Sequence, residues 1–334
     1  MRRSWVIAAC AAGLLAPASA SAGGGPVPPV LNGSGVSTWT GSVNFVAVSA
    51  GRNTIIQRVI RNGGVIERTR LIAGHYGIPG AAFDGSTTGL SADGGTLVLA
   101  EFTSNMTRTR LLVLDTPNLR VRKRIVLPEF VSVDAISPDG RTLYVLRYPK
   151  AQAGGLEYDV MALDLRTGRL RGDPIMDPRE PDEQMGGIPL TRTMSPDMRW
   201  VYTLYSGEHN FVHALDTKQG TARCIDLPSG DLLAQRLTLY GPLLQVGDLA
   251  TIDLRTFALT DEPVTPVATP QATATPAPAN DQGGIPWIPV ALGLVALAVL
   301  GLLTHRVRTH RPAPVEISVR RHLDGEREDE KATF

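Results

Sequence analysis

The chain has very few cysteines, which limits how it can be stabilised. Only Cys10 and Cys224 occur among its 334 residues. Cys10 lies in an N-terminal segment that we expect to be cleaved, so the mature chain would keep one thiol and could not form an internal disulfide. Cys224 lies in a strand-like stretch, and we interpret it as a small buried hydrophobe rather than a nucleophile.

An excess of charge of either sign is also missing. The chain has 33 Lys and Arg against 32 Asp and Glu, and the central part stays nearly balanced once the basic residues near both termini are set aside. It shows no basic stripe and no Gly-rich loop followed by Lys and Ser or Thr. We therefore predict no nucleic-acid partner and no bound cofactor.

Helical periodicity of useful length is absent from residues 36–261. This stretch instead contains short runs of apolar, β-branched and aromatic residues that are broken by Gly, Asp, Asn and Pro. The runs are 43–48, 55–60, 96–100, 111–114, 143–147, 160–165, 200–205 and 211–215. The pattern predicts an all-β domain.

Residues 1–22 have the three parts of a signal peptide. Arg2 and Arg3 precede an apolar run over residues 5–16, and small residues surround Ala20 and Ala22, where we expect cleavage. A membrane span is the alternative, but the run is shorter than the roughly 20 residues that a span needs. A lipoprotein signal is a second alternative, although little apolar chain precedes its cysteine.

Residues 285–304 are uncharged and consist mainly of Val, Ala, Leu and Gly. At about 1.5 Å rise per residue, this stretch matches a hydrocarbon core of about 30 Å. Arg306, Arg308 and Arg311 follow it, whereas Asp281 is the charged residue just before it. We predict one C-terminal transmembrane α-helix with a cytoplasmic C-terminus, and the signal peptide independently predicts that the N-terminal domain lies outside the cell membrane.

The other boundaries follow from composition. We assign residues 23–35 to a linker, 36–261 to the extracytoplasmic domain, 262–284 to a stalk and 305–334 to a cytoplasmic tail. The stalk is rich in Pro, Thr and Ala and has too little apolar surface to offset the entropy of ordering it. Its threonines leave O-glycosylation open, and the basic half of the tail can lie on anionic lipid.

An internal repeat defines the architecture of the central domain. A turn of the Ser-Pro-Asp-Gly type followed by an apolar strand occurs at residues 90–99, 136–145 and 194–203, the last with Met198 in place of Gly. A second element, an apolar strand ending in Asp, follows each copy at residues 112–116, 161–165 and 213–217, with a fourth at 250–254. Pro fixes φ, Asp bonds back to the backbone and Gly tolerates positive φ, so each turn joins two strands. Each repeat is therefore predicted to be a four-stranded antiparallel meander.

These motifs resemble the blades of WD-repeat-like β-propellers, in particular bacterial relatives with Ser-Pro-Asp-Gly turns followed by Leu-Tyr-Val strands. The resemblance covers about residues 43–261 and implies a β-propeller of about five to six four-stranded blades. We expect the N-terminal segment to close the ring by pairing into the last blade. The motifs indicate architecture and say little about chemistry.

Candidate functional residues are few, and we predict no catalytic, metal or cofactor site from them. His209 and His213 are four residues apart, a spacing that suits a metal pair on a helix. This segment is predicted to be strand and loop, and the sequence shows no third ligand nearby, so we interpret both as surface or loop residues. Four aspartates recur at one place in the repeat and are given a structural role: Asp115, Asp164, Asp216 and Asp253. The acidic connection 173–187, with Asp177, Glu180, Asp182 and Glu183, could hold a cation or meet a basic partner, or be a solvated loop. Residues 75–80 form a second candidate loop.

Two classes of function remain open. The first is a non-enzymatic binding, scaffold or sensing module that is held off the membrane by a stalk and recognises a protein or envelope ligand through loops on one face. The second is a propeller hydrolase of the lactonase type, with its site at the mouth of the central channel. Bound metal would favour the second class.

Overall fold

The computed structural model describes residues 26–104, 106–150 and 157–261. These residues belong to the first of two compact units of the chain, residues 1–267. They form twenty β-strands and no α-helix, which confirms the all-β prediction for this part. None of their elements is a helix long and apolar enough to span a bilayer. The predicted signal peptide, the stalk 262–284, the span 285–304 and the tail lie outside the described residues.

The strands form five antiparallel sheets of four strands each, in chain order within every sheet. The first sheet contains β1 (Val36–Ser37), β2 (Val43–Ala50), β3 (Asn53–Ile60) and β4 (Val65–Ala73). The second contains β5 (Tyr76–Gly77), β6 (Thr96–Glu101), β7 (Thr109–Asp115) and β8 (Arg120–Leu127). The third contains β9 (Val131–Ile136), β10 (Thr142–Arg147), β11 (Asp159–Asp164) and β12 (Arg169–Arg171). The fourth contains β13 (Ile188–Met194), β14 (Trp200–Ser206), β15 (Asn210–Asp216) and β16 (Thr221–Asp226), and the fifth β17 (Leu237–Tyr240), β18 (Leu243–Val246), β19 (Ala250–Asp253) and β20 (Ala258–Thr260).

This meander gives every sheet two distinct ends. Connections between its first and second strands and between its third and fourth strands lie at one end, which we call the turn end. The connection between its second and third strands, and the crossing to the next sheet, lie at the other end, which we call the loop end. The predicted four-stranded repeats are confirmed.

The repeated turns have the geometry that their sequence predicts. In the third sheet, the Ser137 hydroxyl donates to Asp139 Oδ1 at 2.6 Å and accepts from the Thr142 backbone N–H at 2.9 Å. The Asp139 carboxylate also accepts from the Arg141 N–H at 3.1 Å. Gly140 has φ +65°, and Met198 in the third copy takes the same left-handed conformation at φ +55°. The turn therefore survives the loss of its glycine.

Successive sheets pack face to face through four buried apolar clusters. Leu97 and Leu99 of β6 point to the first sheet, whereas Val98 on the same strand points to the third. The third and fourth sheets meet through residues such as Tyr144 and Val201, and a further cluster joins the fourth and fifth. The middle strands therefore read as continuous apolar runs because both of their faces are buried.

An insertion in one strand occupies the centre of the domain. Tyr76 pairs with Glu101, the chain returns to the second sheet at Leu90, and residues 79–89 bulge out between these points. The backbone N–H of Phe83 donates to the Pro189 carbonyl oxygen at 2.9 Å, on the first strand of the fourth sheet. The first strands of non-adjacent sheets thus meet around a filled centre.

Three predictions about this region need correction. Residues 75–80 do not form a free loop, because β5 and a bridge from Ile78 to Val30 lie within them. For the same reason residues 26–35 are more than a linker, since they pack on the second sheet and lead into β1. The N-terminal segment does not join the last sheet, because β1 pairs with β2 of the first sheet.

The left-handed Met198 gives a test of the turn geometry. Met198→Gly should be more stable than Met198→Ala by about 0.5–1 kcal/mol. The penalty of roughly 1–2 kcal/mol for an L-residue in the left-handed conformation exceeds the cost of the extra backbone entropy that Gly loses on folding. The alanine variant controls for the lost side chain. Thermal and urea unfolding of the full chain measure the difference, and a less stable glycine variant would contradict a left-handed residue 198.

Candidate functional site

The acidic connection between the third and fourth sheets is fastened to β16 by one buried aspartate. Asp177 is 2% exposed, and its carboxylate accepts hydrogen bonds from the Cys224 N–H at 3.0 Å and from Arg179 Nη2 at 2.6 Å. Arg179 also donates to the Cys224 carbonyl oxygen at 3.0 Å. Burial by itself would raise the pKa of Asp177, but these hydrogen bonds outweigh it and hold the pKa below its usual value. Asp177 is therefore a structural anchor.

Two consecutive turns then bring Glu180 and Glu183 together. The Glu180 N–H donates to the Asp177 carbonyl oxygen at 2.9 Å, and the Glu183 N–H donates to the Glu180 carbonyl oxygen at 3.2 Å. The Oε2 atom of each glutamate is shielded from solvent and has no hydrogen-bond partner among the described residues. Two shielded acceptor oxygens of this kind need a proton, a cation or another hydrogen-bond donor.

The neighbouring Glu183 raises the pKa of Glu180. Hydrogen bonding with Glu183, burial and the Glu183 charge together raise the pKa of Glu180 to about 7, and Asp226 and Asp177 add to the effect. Glu180 thus keeps a proton, which it can share with Glu183 in a hydrogen bond, up to about neutral pH.

Cys224 completes the inner side of this cluster. Its side chain is 6% exposed, and its sulfur and one oxygen of each glutamate all lie within 4.8 Å of one another. Burial and the neighbouring Glu183 carboxylate raise the pKa of the thiol to about 12. The thiol is therefore neutral at ordinary pH, which agrees with its interpretation as a buried residue rather than a nucleophile.

His209 approaches the same cluster from the connection between β14 and β15. Its Nε2 lies 2.9 Å from Glu183 Oε1 and 3.4 Å from Asp226 Oδ1, and the side chain is about half exposed. Nothing in the sequence indicates these neighbours of His209, because segments far apart in the chain supply them. The four groups define what we call the acidic cluster: Glu180, Glu183, His209 and Cys224.

The acidic cluster offers carboxylate, imidazole and thiol atoms to a positively charged ligand. The thiol and the two carboxylates lie close enough to hold one ion such as zinc, provided that the ion displaces the thiol proton. A basic side chain from a partner needs only the carboxylates. Asp182, which the sequence grouped with these residues, is exposed and outside the cluster.

A cavity of about 460 Å³ opens beside the acidic cluster at the loop end. Glu157, Glu208 and His209 contribute to its walls, and backbone from residues 186–187 forms part of the rest. The cavity lining therefore adds two carboxylates next to a cluster that is already acidic, although Glu157 is paired with Lys150 at 2.5 Å. The negative potential favours cationic groups over anionic ones.

Three of the four repeated aspartates cap turns, whereas the fourth, Asp115, accepts from the Asn118 side chain at 3.3 Å. Asp164 accepts from the Thr167 N–H at 2.7 Å, and Asp216 accepts from the Lys218 N–H at 2.9 Å. Asp253 accepts from the Arg255 N–H at 2.9 Å. In each case the carboxylate caps the turn between the third and fourth strands, so these aspartates hold the sheet rather than a ligand.

A second polar group of residues lies buried between the third and fourth sheets. Arg192 on β13 forms an ion pair with Asp134 on β9 at 3.2 Å, and both side chains are almost completely buried. His213 lies near this pair, is 1% exposed and has no hydrogen-bond partner for Nε2. The expectation of a surface histidine holds for His209 and is wrong for His213, because β15 is covered on both faces.

Comparison with known proteins gives limited guidance. No protein-family profile and no curated protein matches the chain. It is similar to TolB from Acinetobacter baumannii, with 14% identity over 68% of this chain and 52% of that chain and a TM-score of 0.40. BamB from Moraxella catarrhalis matches at 17% identity over 70% of this chain and 66% of that chain, with a TM-score of 0.40. The β-propeller domain of Cps50 (Swd1) from Myceliophteria thermophila matches at 10% identity over 67% of each chain, also with a TM-score of 0.40.

This chain thus spans about half the length of the TolB chain. At such low identities and TM-scores we draw no functional argument from the similarity. The class of the domain comes from its own geometry, since four-stranded antiparallel sheets that follow one another in chain order around a common centre are the blades of a β-propeller. The predicted five to six blades are five in the described residues.

The glutamate pair predicts an unusual dependence of stability on pH. The pKa of Glu180 is higher in the folded chain than its ordinary value of 4.5. The contribution of Glu180 to stability is therefore complete below pH 4.5 and is lost as pH rises through about 7. Wild type should therefore lose stability relative to Glu180→Gln as pH rises from about 4.5 to about 7, between the unfolded and folded pKa of Glu180. Urea unfolding of both full chains across this range measures the effect, and parallel curves would show that the pKa of Glu180 is not raised in the folded chain.

The buried histidine predicts a dependence of the opposite sign. Burial lowers the pKa of His213 below 6.5, with Arg192 acting in the same direction and Asp134 and Asp177 against it. A lowered histidine pKa means that stability is lost as pH falls from about 6.5 towards the folded-state value. The variant His213→Phe should show a smaller loss between pH 6.5 and 5 in thermal unfolding, and an equal loss would place the acid sensitivity elsewhere.

Proposed function

We propose that this protein is a membrane-anchored, extracytoplasmic β-propeller that works as a binding module for a protein of the cell envelope. The sequence supports the anchor, through the signal peptide 1–22, the stalk 262–284 and the apolar stretch 285–304. The blades supply a scaffold, and recognition is assigned to the loop end. The partner engages this end through a basic segment.

The observation that carries the proposal is the convergence of acidic groups around an open cavity. Glu180 and Glu183 have shielded oxygens without partners, and the cavity beside them has Glu157 and Glu208 in its walls. A cavity of about 460 Å³ accommodates a lysine or arginine side chain with part of its backbone, which is more than a single ion requires. A basic side chain would replace the shared proton and satisfy both glutamates.

The alternative is a metal-dependent hydrolase, and one observation favours it. Glu180, Glu183 and Cys224 are close enough to hold one metal ion, and a glutamate with a pKa of about 7 suits acid–base catalysis near neutral pH. All three ligands, however, belong to the outermost strand β16 or to a blade-to-blade connection. This places the cluster away from the centre, where a propeller hydrolase site was expected.

Carbodiimide coupling on intact cells tests the binding module, because it joins a carboxylate to an amine in direct contact. We expect wild type to form an adduct that disappears in the double variant Glu183→Gln, Asp226→Asn. Glu129→Gln makes the same kind of change at the loop end, on the connection between the second and third sheets, and should keep the adduct. An adduct pattern that is identical in all three proteins would contradict recognition at this site.

Metal analysis of the purified full chain separates the two functions. The binding module predicts less than stoichiometric metal and an adduct that depends on Glu183. One tightly bound ion per chain, lost in the variant Glu180→Gln and accompanied by no adduct, would favour the hydrolase.

A further inference from the structure

A basic cleft lies between the second and third sheets at the turn end. It encloses about 570 Å³, and its polar lining consists of cationic side chains with a single carboxylate. The charged residues of this basic cleft are Arg122, Lys123, Arg141, Arg166, Arg171 and Asp164. The near-neutral total charge of the chain therefore conceals a local concentration of positive charge, which the expectation of no basic stripe did not foresee.

The close approach of two turns to the second sheet builds the basic cleft. A Cβ atom on Gly140 would lie 2.5 Å from the Thr96 Oγ1 atom, so the repeated turn of the third sheet presses directly on β6. Arg141 follows this turn and is exposed at the rim of the cleft. On the opposite side, Gly168 in the turn between β11 and β12 approaches the methylene chain of Lys123. The ammonium group of Lys123 donates to the Arg166 carbonyl oxygen.

The carboxylate in the basic cleft is already committed. Asp164 is 5% exposed, caps its turn through the Thr167 N–H and is paired with Arg171. It therefore neutralises one cation and leaves four. A carboxylate fixed in this way does not repel an incoming anion as strongly as a free one would.

The remaining cations have neutral or weak partners within the described part of the chain. Arg122 donates to the Thr96 hydroxyl at 2.7 Å, and Lys123 donates to a backbone carbonyl. Arg141 lies 3.7 Å from Asp139, but both side chains are highly exposed, and such pairs contribute little. Four like charges around one cleft repel one another, and an anionic ligand would relieve that repulsion.

We infer that the basic cleft is a binding site for a ligand that carries several phosphate groups. A phosphate group brings about 1.5–2 negative charges at neutral pH, so two or three of them match four cations within this volume, whereas carboxylates would need more groups. The planar guanidinium groups of Arg122, Arg141 and Arg166 can each bind a phosphate through two parallel hydrogen bonds. Phosphate groups could come from a soluble oligophosphate or from the headgroups of anionic lipid.

This inference goes beyond the binding module proposed for the loop end. The basic cleft lies at the other end of the sheets and favours ligands of the opposite charge. Loss of one site therefore does not predict loss of the other, and the two can be tested in the same chain.

Calorimetric titration of the full chain with sodium tripolyphosphate tests the inference, with sodium citrate at matched ionic strength as the carboxylate control. The double variant Arg141→Ser, Arg166→Ser removes two exposed charges that no strand depends on. Arg68→Ser, Arg70→Ser removes two exposed arginines from β4, outside the cleft. A second arm measures sedimentation with vesicles of phosphatidylglycerol, which separates a lipid source from a soluble one.

We expect wild type to bind tripolyphosphate or the vesicles in a saturable manner. If the natural ligand is a soluble oligophosphate, tripolyphosphate should bind more strongly than citrate. The cleft variant should bind at least about tenfold more weakly, since charge-assisted hydrogen bonds are lost, whereas the β4 variant should bind like wild type. Equal weakening in both variants would reduce the effect to non-specific attraction and overturn the inference. Absence of binding in both arms, or binding of a single-stranded oligonucleotide that is far tighter than either probe, would also overturn it.

Discussion

Burial of the middle sheets on both faces is the constraint on which this domain depends. A strand such as β6 must be apolar at successive positions, because alternate side chains enter different interfaces. A buried polar residue in such a strand needs a hydrogen-bond partner, as Thr96 has in Arg122. Most groups that can meet a ligand therefore lie at the ends of the sheets, where turns and connections meet solvent.

The cavity at the loop end and the cleft at the turn end have opposite electrostatic character. At the loop end, Glu180, Glu183 and the carboxylates around the neighbouring cavity concentrate negative charge. At the turn end, the residues that follow the repeated turns contribute arginines to the cleft between the second and third sheets. A chain with balanced totals can present two different binding surfaces in this way, because the fold sorts its charges by their position along each meander.

The sequence predicted the architecture well for physical reasons that are local. Ser137, Asp139 and Gly140 define their turn through contacts within a few residues, so the motif could be recognised without knowledge of the fold. The insertion 79–89 in the first strand of the second sheet was not foreseen, because nothing local distinguishes it from a surface loop. Its partner, Pro189, lies more than a hundred residues further along the chain.

The candidate site was predicted only in parts for the same reason. The acidic connection and Cys224 each stood out in the sequence, and His209 was considered as a metal ligand, but their convergence depends on how the third sheet crosses to the fourth. His213 was misjudged because the burial of β15 comes from neighbouring sheets rather than from its own sequence. Long-range placement, not residue type, decided each of these cases.

Glu180 and Glu183 form a site suited to positive charge, in which a proton on Glu180 takes the place of the cation when no ligand is bound. Carbon-13 NMR titration of the glutamate carboxyl groups in the full chain tests this claim most directly. The account predicts one glutamate carboxyl that titrates near pH 7, and its signal should move to lower pH when a cationic ligand binds. Glutamates that all titrate near the ordinary value of 4.5 would contradict the account.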